Sequence, residues 1–144
     1  MTKKDDFDLQ NFLPYLLNQA AEESSLAFQN IYKDRYGMLR TEWRVLFHLG
    51  IYGRLTAKES CERSKMHRTK ISRAVARLEE RRFLTRERDE ADRRLEYLEL
   101  TSAGRAAYTE LRGVAIDYDA ELAATFSSED VTVLRKLLHH LAKL

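Results

Sequence analysis

The sequence predicts a mainly α-helical chain carrying a single β-hairpin, on three observations. Only five Gly and one Pro punctuate 144 residues, too few for the many turns of a sandwich or barrel. Apolar residues recur at steps of three and four along most of the chain, the period of an amphipathic helix. Only residues 84–100 break that period, with two short alternating stretches around a polar tip. The length fits one domain able to bury a core without metals or disulfides. With 44% hydrophobic residues the bulk of the chain is not disordered. Cys61 stands alone and cannot form an intrachain disulfide, and the start MTKKDDFD has no signal-peptide pattern. The uncharged run Leu9–Ala21 is too short to span a bilayer. A soluble cytoplasmic chain with no membrane partner is expected.

Leu13, Leu17, Ala20, Ser24, Phe28 and Ile31 place a long helix from about Leu9 to Tyr36, with Pro14 near its start and Gly37 as its stop. Thr41 is a suitable N-cap for a second helix through Trp43, Leu46 and Phe47 to Tyr52–Gly53. Thr56-Ala57-Lys58-Glu59 reads as a capping box: the Thr hydroxyl accepts from the N3 amide and the Glu reaches back. The short helix it opens ends near Ser64 or Lys65, and a turn through Met66 and His67 leads to a helix over 68–82. Strands Leu84–Arg88 and Leu95–Leu100 flank the tip Asp89–Arg94. Thr101-Ser102 caps a long helix to about Thr125. Ser127-Ser128-Glu129-Asp130 opens the last, with Leu134, Leu137, Leu138 and Leu141 on its apolar side. The order is that of a winged helix-turn-helix with a two-stranded wing, set between helices with more apolar surface than a small monomer covers.

Charge is distributed unevenly. The formal net charge is only +2, yet residues 54–94 hold 14 of the 25 Lys and Arg against 8 Asp and Glu. A basic block between acidic arms matches a phosphate-binding module. At about 100° per residue, Ile71, Ala74, Val75 and Leu78 share one side of their helix, while Thr69, Ser72, Arg73 and Ala76 point away, flanked by Lys70 and Arg77. Small hydroxyls and an Arg on a slim helix suit a major groove, where Arg bonds guanine bidentately and Ser or Thr bonds bases or phosphates. Arg93 and Arg94 at a hairpin tip suit a narrow minor groove, with Asp92 orienting an arginine or tying the turn. A solvated helix face and a hairpin tip kept polar for solubility are the plainer readings.

These residues resemble the MarR family of winged helix-turn-helix regulators over nearly the whole chain. The pieces are Leu39-Arg40-Thr41-Glu42-Trp43-Arg44-Val45-Leu46, Leu55-Thr56-Ala57-Lys58-Glu59, Arg68–Leu78 with Glu79, Asp92-Arg93-Arg94, and Leu98-Glu99-Leu100-Thr101-Ser102-Ala103-Gly104. The resemblance implies one domain over 1–144. A DNA-binding lobe at about 41–100 would sit between helices at about 7–36 and 101–144 that join a homodimer. It further implies a repressor on a pseudo-palindromic operator of double-stranded DNA, released by a small aromatic or anionic effector. Arg68, Thr69, Lys70, Ser72, Arg73, Arg77, Arg93 and Arg94 are then the expected DNA-contacting residues, with Asp92 supporting the wing. The chain departs from the family pattern at both ends of the recognition helix. Lys65 and His67 replace the usual Gly and Asp before it, and Arg82 replaces the Gly after it, which asks for a left-handed residue or a different turn. His67 also brings a titratable charge whose protonated form would strengthen DNA binding on acidification.

An effector pocket would draw on Trp43, Phe47 and His48 with Phe12, Tyr15 or Phe28, and with Arg40 or Arg44 meeting a carboxylate; the alternative is that Trp43 and Phe47 fill the core. His48, His67, His139 and His140 lack metal-ligand spacing. Cys61 reads as a small buried hydrophobe. No phosphate loop, Ser-His-Asp order or paired carboxylates suggest catalysis, and no cofactor is expected. Two other functions share the same surface. One is a nonspecific architectural DNA-binding protein, and the other a winged-helix protein-interaction module.

Overall fold

Six α-helices and one three-stranded antiparallel sheet make up the described residues, 4–144, of the computed structural model. A short 3₁₀ turn at Leu9–Asn11 precedes α1, Leu13–Tyr36, so the first helix begins four residues later than its periodicity suggests. Pro14 explains the delay: it fits the first turn of a helix, where no partner for its missing N–H is needed, and not the interior. Gly37 ends α1 at φ 63°, its N–H reaching back to the Lys33 and Tyr32 carbonyls.

Helix α2 spans Arg40–Tyr52 and is capped at Leu39 rather than Thr41. Leu39 has no side-chain oxygen, so only half of a capping box is made: Glu42 Oε2 accepts from the Leu39 N–H at 3.1 Å. Strand β1 is the dipeptide Leu55–Thr56, followed by α3, Ala57–Ser64. Thr56 Oγ1 accepts from Glu59 N at 3.1 Å, and its hydroxyl donates to Glu59 Oε1 at 3.0 Å; the carboxylate thus meets the Thr side chain instead of the cap amide.

Helix α4, Arg68–Glu80, buries Ile71, Ala74, Val75 and Leu78, the four residues its period selects. Arg82 follows at φ 63°, in the left-handed conformation that a missing glycine forces on it. Strands β2, Leu84–Arg88, and β3, Glu96–Leu100, form the wing. β1 adds on the far side of β3, giving order β1-β3-β2 with Leu55 and Arg86 both opposite Leu98. The wing sheet therefore has three strands where the sequence pattern reveals two, because a dipeptide is too short to show alternation.

Thr101 caps α5, Ser102–Ala123. Its Oγ1 accepts from Gly104 N at 3.0 Å and donates to the Arg82 carbonyl at 2.6 Å, which fixes the left-handed turn against the new helix. Ser127 caps α6, Ser128–Ala142, by accepting from Asp130 N at 3.1 Å.

The core lies where α2, α4, α5 and the sheet meet, at Leu46, Leu49, Leu78, Leu84, Leu98 and Leu111, with Phe28 and Tyr32 of α1 closing one side. Its two tightest crossings use glycine. A Cβ on Gly50 would stand 2.5 Å from the Tyr108 ring, and one on Gly104 would sit on the Phe83 carbonyl oxygen. The terminal helices are packed far less. α6 has no buried residue, and Leu13 and Leu16 of α1 are exposed. No helix among the described residues is long and apolar enough to cross a membrane.

Candidate nucleic-acid interface

Helix α4 is aimed by its buried stripe and by the turn before it. Lys65 ends α3 at φ 54°, taking the left-handed position of a helix C-cap with a side chain that costs more there than glycine would. Its Nζ donates to the Ala142 and Lys143 carbonyls at 3.2 and 2.7 Å, at the end of α6. His67 is the N-cap of α4, its Nδ1 accepting from the Thr69 N–H at 3.2 Å. Only an unprotonated Nδ1 can accept that bond, so a proton there adds a charge but removes the cap. The simple expectation that acidification strengthens binding through His67 therefore meets an opposing effect. With the stripe buried, Arg68, Thr69, Lys70, Ser72, Arg73 and Ala76 are left exposed along the opposite face.

The wing is ordered by two aspartates. Asp89 Oδ1 accepts from the N–H groups of Ala91 and Asp92 at 2.8 and 3.1 Å and closes the tip. Asp92 Oδ1 accepts from Arg94 N and Arg94 Nε, both at 3.1 Å, while Oδ2 accepts from Arg94 Nη2 at 3.3 Å. These bonds, the side-chain one foremost, hold the Asp92 carboxyl below the ordinary carboxylate range. Asp92 thus holds both the main-chain N–H and the guanidinium of Arg94, whose side chain is nevertheless 91% exposed. Arg93 is exposed beside it, its carbonyl accepting from Arg88 Nη1 at 3.5 Å.

A cleft of about 560 Å³ separates α4 from the wing, and Arg68, Ser72 and Arg94 share its walls with Ile71, Val75 and Cys61. Thus two regions distant in sequence present cations to one space. Arg86 joins the two walls: its Nε lies 3.2 Å from Glu79 of α4 and its Nη1 3.6 Å from Glu96 of β3. Neither Arg86 nor Asp89 stands out in the sequence analysis, although Asp followed by a short polar tip is a recognisable turn signal. Cys61 is half-buried, and burial pushes its thiol pKa up, which disfavours the reactive thiolate.

Arg77, expected with the DNA-contacting residues, is directed elsewhere. Its Nη1 lies 3.7 Å from Oε2 of the fully buried Glu42 on α2, and Arg81 Nη1 lies 3.9 Å from Oε1. Lys70 and Arg73 border the same shallow groove.

A separate groove of about 220 Å³ opens between α1 and α2, lined by Ala21, Ser25, Phe28, Tyr32, Arg40, Trp43 and Arg44. Of the residues expected in a pocket, it brings together Arg40, Trp43 and Arg44. Phe12 instead packs edge-on against Phe7, ring centres 5.5 Å apart, and Tyr15 lies outside the groove on the first turn of α1. Phe47 sits between Trp43 and Tyr108, at 4.9 and 5.2 Å, as part of the packed interior. His48 Nδ1 donates to the Arg44 carbonyl at 2.6 Å and its ring stacks on Tyr52. Phe28, also expected there, and Tyr32, missed in the sequence, supply the aromatic wall. Their helical step from Ser25 is the only local sign of it. Burial raises the Tyr32 hydroxyl pKa, so it faces the groove as a neutral donor. Among the described residues no cluster of His, Cys, Asp and Glu could hold a metal ion.

Comparison with known proteins places this geometry. Residues 36–95 match the model described as the MarR family. The chain is 27% identical over 118 residues to an uncharacterized HTH-type transcriptional regulator, YwoH, of Bacillus subtilis, covering 81% of this chain and 85% of that one. Bordetella bronchiseptica BpsR, solved in work on regulation of its DNA binding by 6-hydroxynicotinic acid, superposes with a TM-score of 0.85 at 20% identity, covering 97% and 99% of the two chains. A mutant of Escherichia coli MarR complexed with operator DNA superposes at 0.82 and 20% identity, covering 96% and 99%.

Proposed function

We propose that this chain, whose residues 36–95 match the MarR family model, is a transcriptional regulator of that family and a homodimeric repressor of a pseudo-palindromic operator, released by a small aromatic anion. The observation that carries the reading is the shared cleft. Arg68 and Ser72 at the edge of the exposed α4 face and the wing arginine Arg94 converge on one space. Thr69, Ser72 and Arg73 read bases in the major groove, Arg68 and Lys70 meet phosphates, and Arg93 and Arg94 enter the adjoining minor groove.

Two copies are needed to pair half-sites, whose centres should lie about 10 bp or a small multiple apart. The lobe at 41–100 then binds DNA while the helices at 7–36 and 101–144 join the copies. Support comes from Leu137 and Leu141, each 55% exposed on α6, and Leu13, 65% exposed on α1, on faces that water disfavours. For the effector, the groove between α1 and α2 offers an aromatic wall and two guanidinium-bearing residues, Arg40 and Arg44. That chemistry suits a ring bearing a carboxylate. BpsR, whose DNA binding 6-hydroxynicotinic acid regulates, is a precedent in the same fold.

The test is binding to the DNA upstream of the protein's own gene against a scrambled duplex, in ~150 mM salt, where a preference above about a thousandfold marks operator recognition. Equal binding of the two would replace the reading with a sequence-independent architectural protein. No binding to either would favour a protein partner. Aromatic carboxylates are then screened for release of the operator complex.

A further inference from the structure

One side chain in the packed region bears charge that packing alone does not need. Glu42 stands in the first turn of α2 with its side chain 1% exposed. Oε2 accepts from the Leu39 N–H at 3.1 Å, while buried Oε1 has no hydrogen-bond partner among the described residues. A carboxylate so placed must have countercharge nearby or it strongly destabilises the fold. Two cations come within 4 Å, both from the C-terminal half of α4 or the turn after it: Arg77 at 3.7 Å and Arg81 at 3.9 Å. Arg81 is already committed, since its Nη1 donates to the Tyr36 carbonyl at 2.7 Å. The compensation is shared between the two, and Arg77 is the one that could leave for DNA: its side chain is 51% exposed and borders the groove shared with Lys70 and Arg73.

We infer that Glu42 is an affinity-limiting residue: it withholds Arg77 from DNA phosphates and so lowers the affinity of α4 for DNA of any sequence. The inference rests on the proposed reading that α4 faces DNA. Phosphate contacts supply nearly all nonspecific binding, whereas specificity is the ratio of operator to nonspecific affinity. A cation on the recognition helix that could reach phosphate adds to both kinds of binding. Tying it to a buried carboxylate takes it from both sums, so total affinity falls while the ratio is left to the base-reading Thr69, Ser72 and Arg73. If Arg77 left for a phosphate, Glu42 would keep only a 3.9 Å partner that is shared with Tyr36.

The test compares the wild type, Glu42→Gln and the double variant Glu42→Gln/Arg77→Gln on operator and scrambled duplexes across salt concentrations. Glutamine keeps an oxygen for the Leu39 N–H and removes only the charge. In Glu42→Gln, scrambled and operator DNA should both bind more tightly, with the salt slope steeper by about 1 per protomer and the operator preference unchanged. The double variant should return the slope to that of the wild type. A Glu42→Gln slope equal to that of the wild type, or a steeper slope that persists in the double variant, overturns the inference. Arg77→Gln alone covers the case in which Glu42→Gln fails to fold. Its slope on scrambled DNA should match that of the wild type, and a loss of about 1 per protomer would place Arg77 on phosphate and sink the idea. Failure of the wild type to prefer the operator at all would instead count against the proposed function, and the two failures are thereby told apart.

Discussion

Arg73 and Arg94 differ in what they should do when removed. Arg73 lies on the exposed face of α4, where a guanidinium can bond a guanine edge bidentately. Arg73→Ala should cost about 1–3 kcal/mol of operator binding and relax the preference at one base pair per half-site, read by titrating single-substitution operators. Arg94 stands on the wing, its main-chain N–H and guanidinium both bonded to Asp92. Arg94→Ala should weaken binding to most sequences and lower the salt slope by about 1 per protomer. The Asp92 tie has its own pH signature. Its carboxyl pKa is held down chiefly by the Arg94 side chain and then by the Arg94 N–H, bonds that favour the charged form. The tie is therefore fully present above the ordinary carboxylate range and is released as pH falls through the depressed value. The Arg94 Nε–H resonance should stay unchanged from pH 7 down to about pH 4; movement well above that would refute the tie.

At the scale of elements, the joints between helices carry the strain and the tightest contacts. Arg82 holds φ 63° between α4 and β2 because Thr101 bonds its carbonyl and α5 starts there. A side chain in that conformation costs roughly 1–2 kcal/mol. Arg82→Gly should raise stability by about 1 kcal/mol, less than the full strain because glycine also gains freedom in the unfolded chain. Denaturant midpoints would report it, and an unchanged or lower midpoint would refute the strain. Gly104→Ala is the opposite case. Its methyl would meet the Phe83 carbonyl oxygen, which backbone cannot easily move, so a loss of about 1–3 kcal/mol or more is expected. Because α5 hangs from this joint, the same change should also disturb how the wing sits against the long helix.

The whole molecule divides its apolar surface between a closed core and open terminal helices. Val45, Leu46 and Leu49 are at most 1% exposed, yet Val133, Leu137 and Leu141 of α6 are each more than half exposed. In the proposed dimer a second copy covers α1 and α6, which would account for the difference. Leu137→Glu should convert a dimer into a species of 16.9 kDa by light scattering. Operator affinity should then fall toward that of one half-site, with the fold unchanged by circular dichroism. A wild type already monomeric at micromolar concentration would refute the dimeric reading.

Local rules make much of this protein legible in its sequence. A buried stripe at Ile71, Ala74, Val75 and Leu78 follows from a 3.6-residue period, and the caps at Thr56, Thr101 and Ser127 follow from a hydroxyl facing an amide three residues on. Both depend on neighbours in the chain, so the sequence by itself determined every element but the dipeptide β1, together with the outward face of α4 and the unusual strain at Arg82. Tertiary structure decided the rest. That Arg77 turns to Glu42, that Arg68, Ser72 and Arg94 share one cleft, and that Trp43 reaches a groove while Phe47 is held in the interior are outcomes of how helices cross. Glu42 and Arg77 are 35 residues apart, and no spacing rule relates them. Only the packing of α2 on α4 brings a buried charge within reach of an exposed one, and there burial, not proximity in sequence, selects the partner.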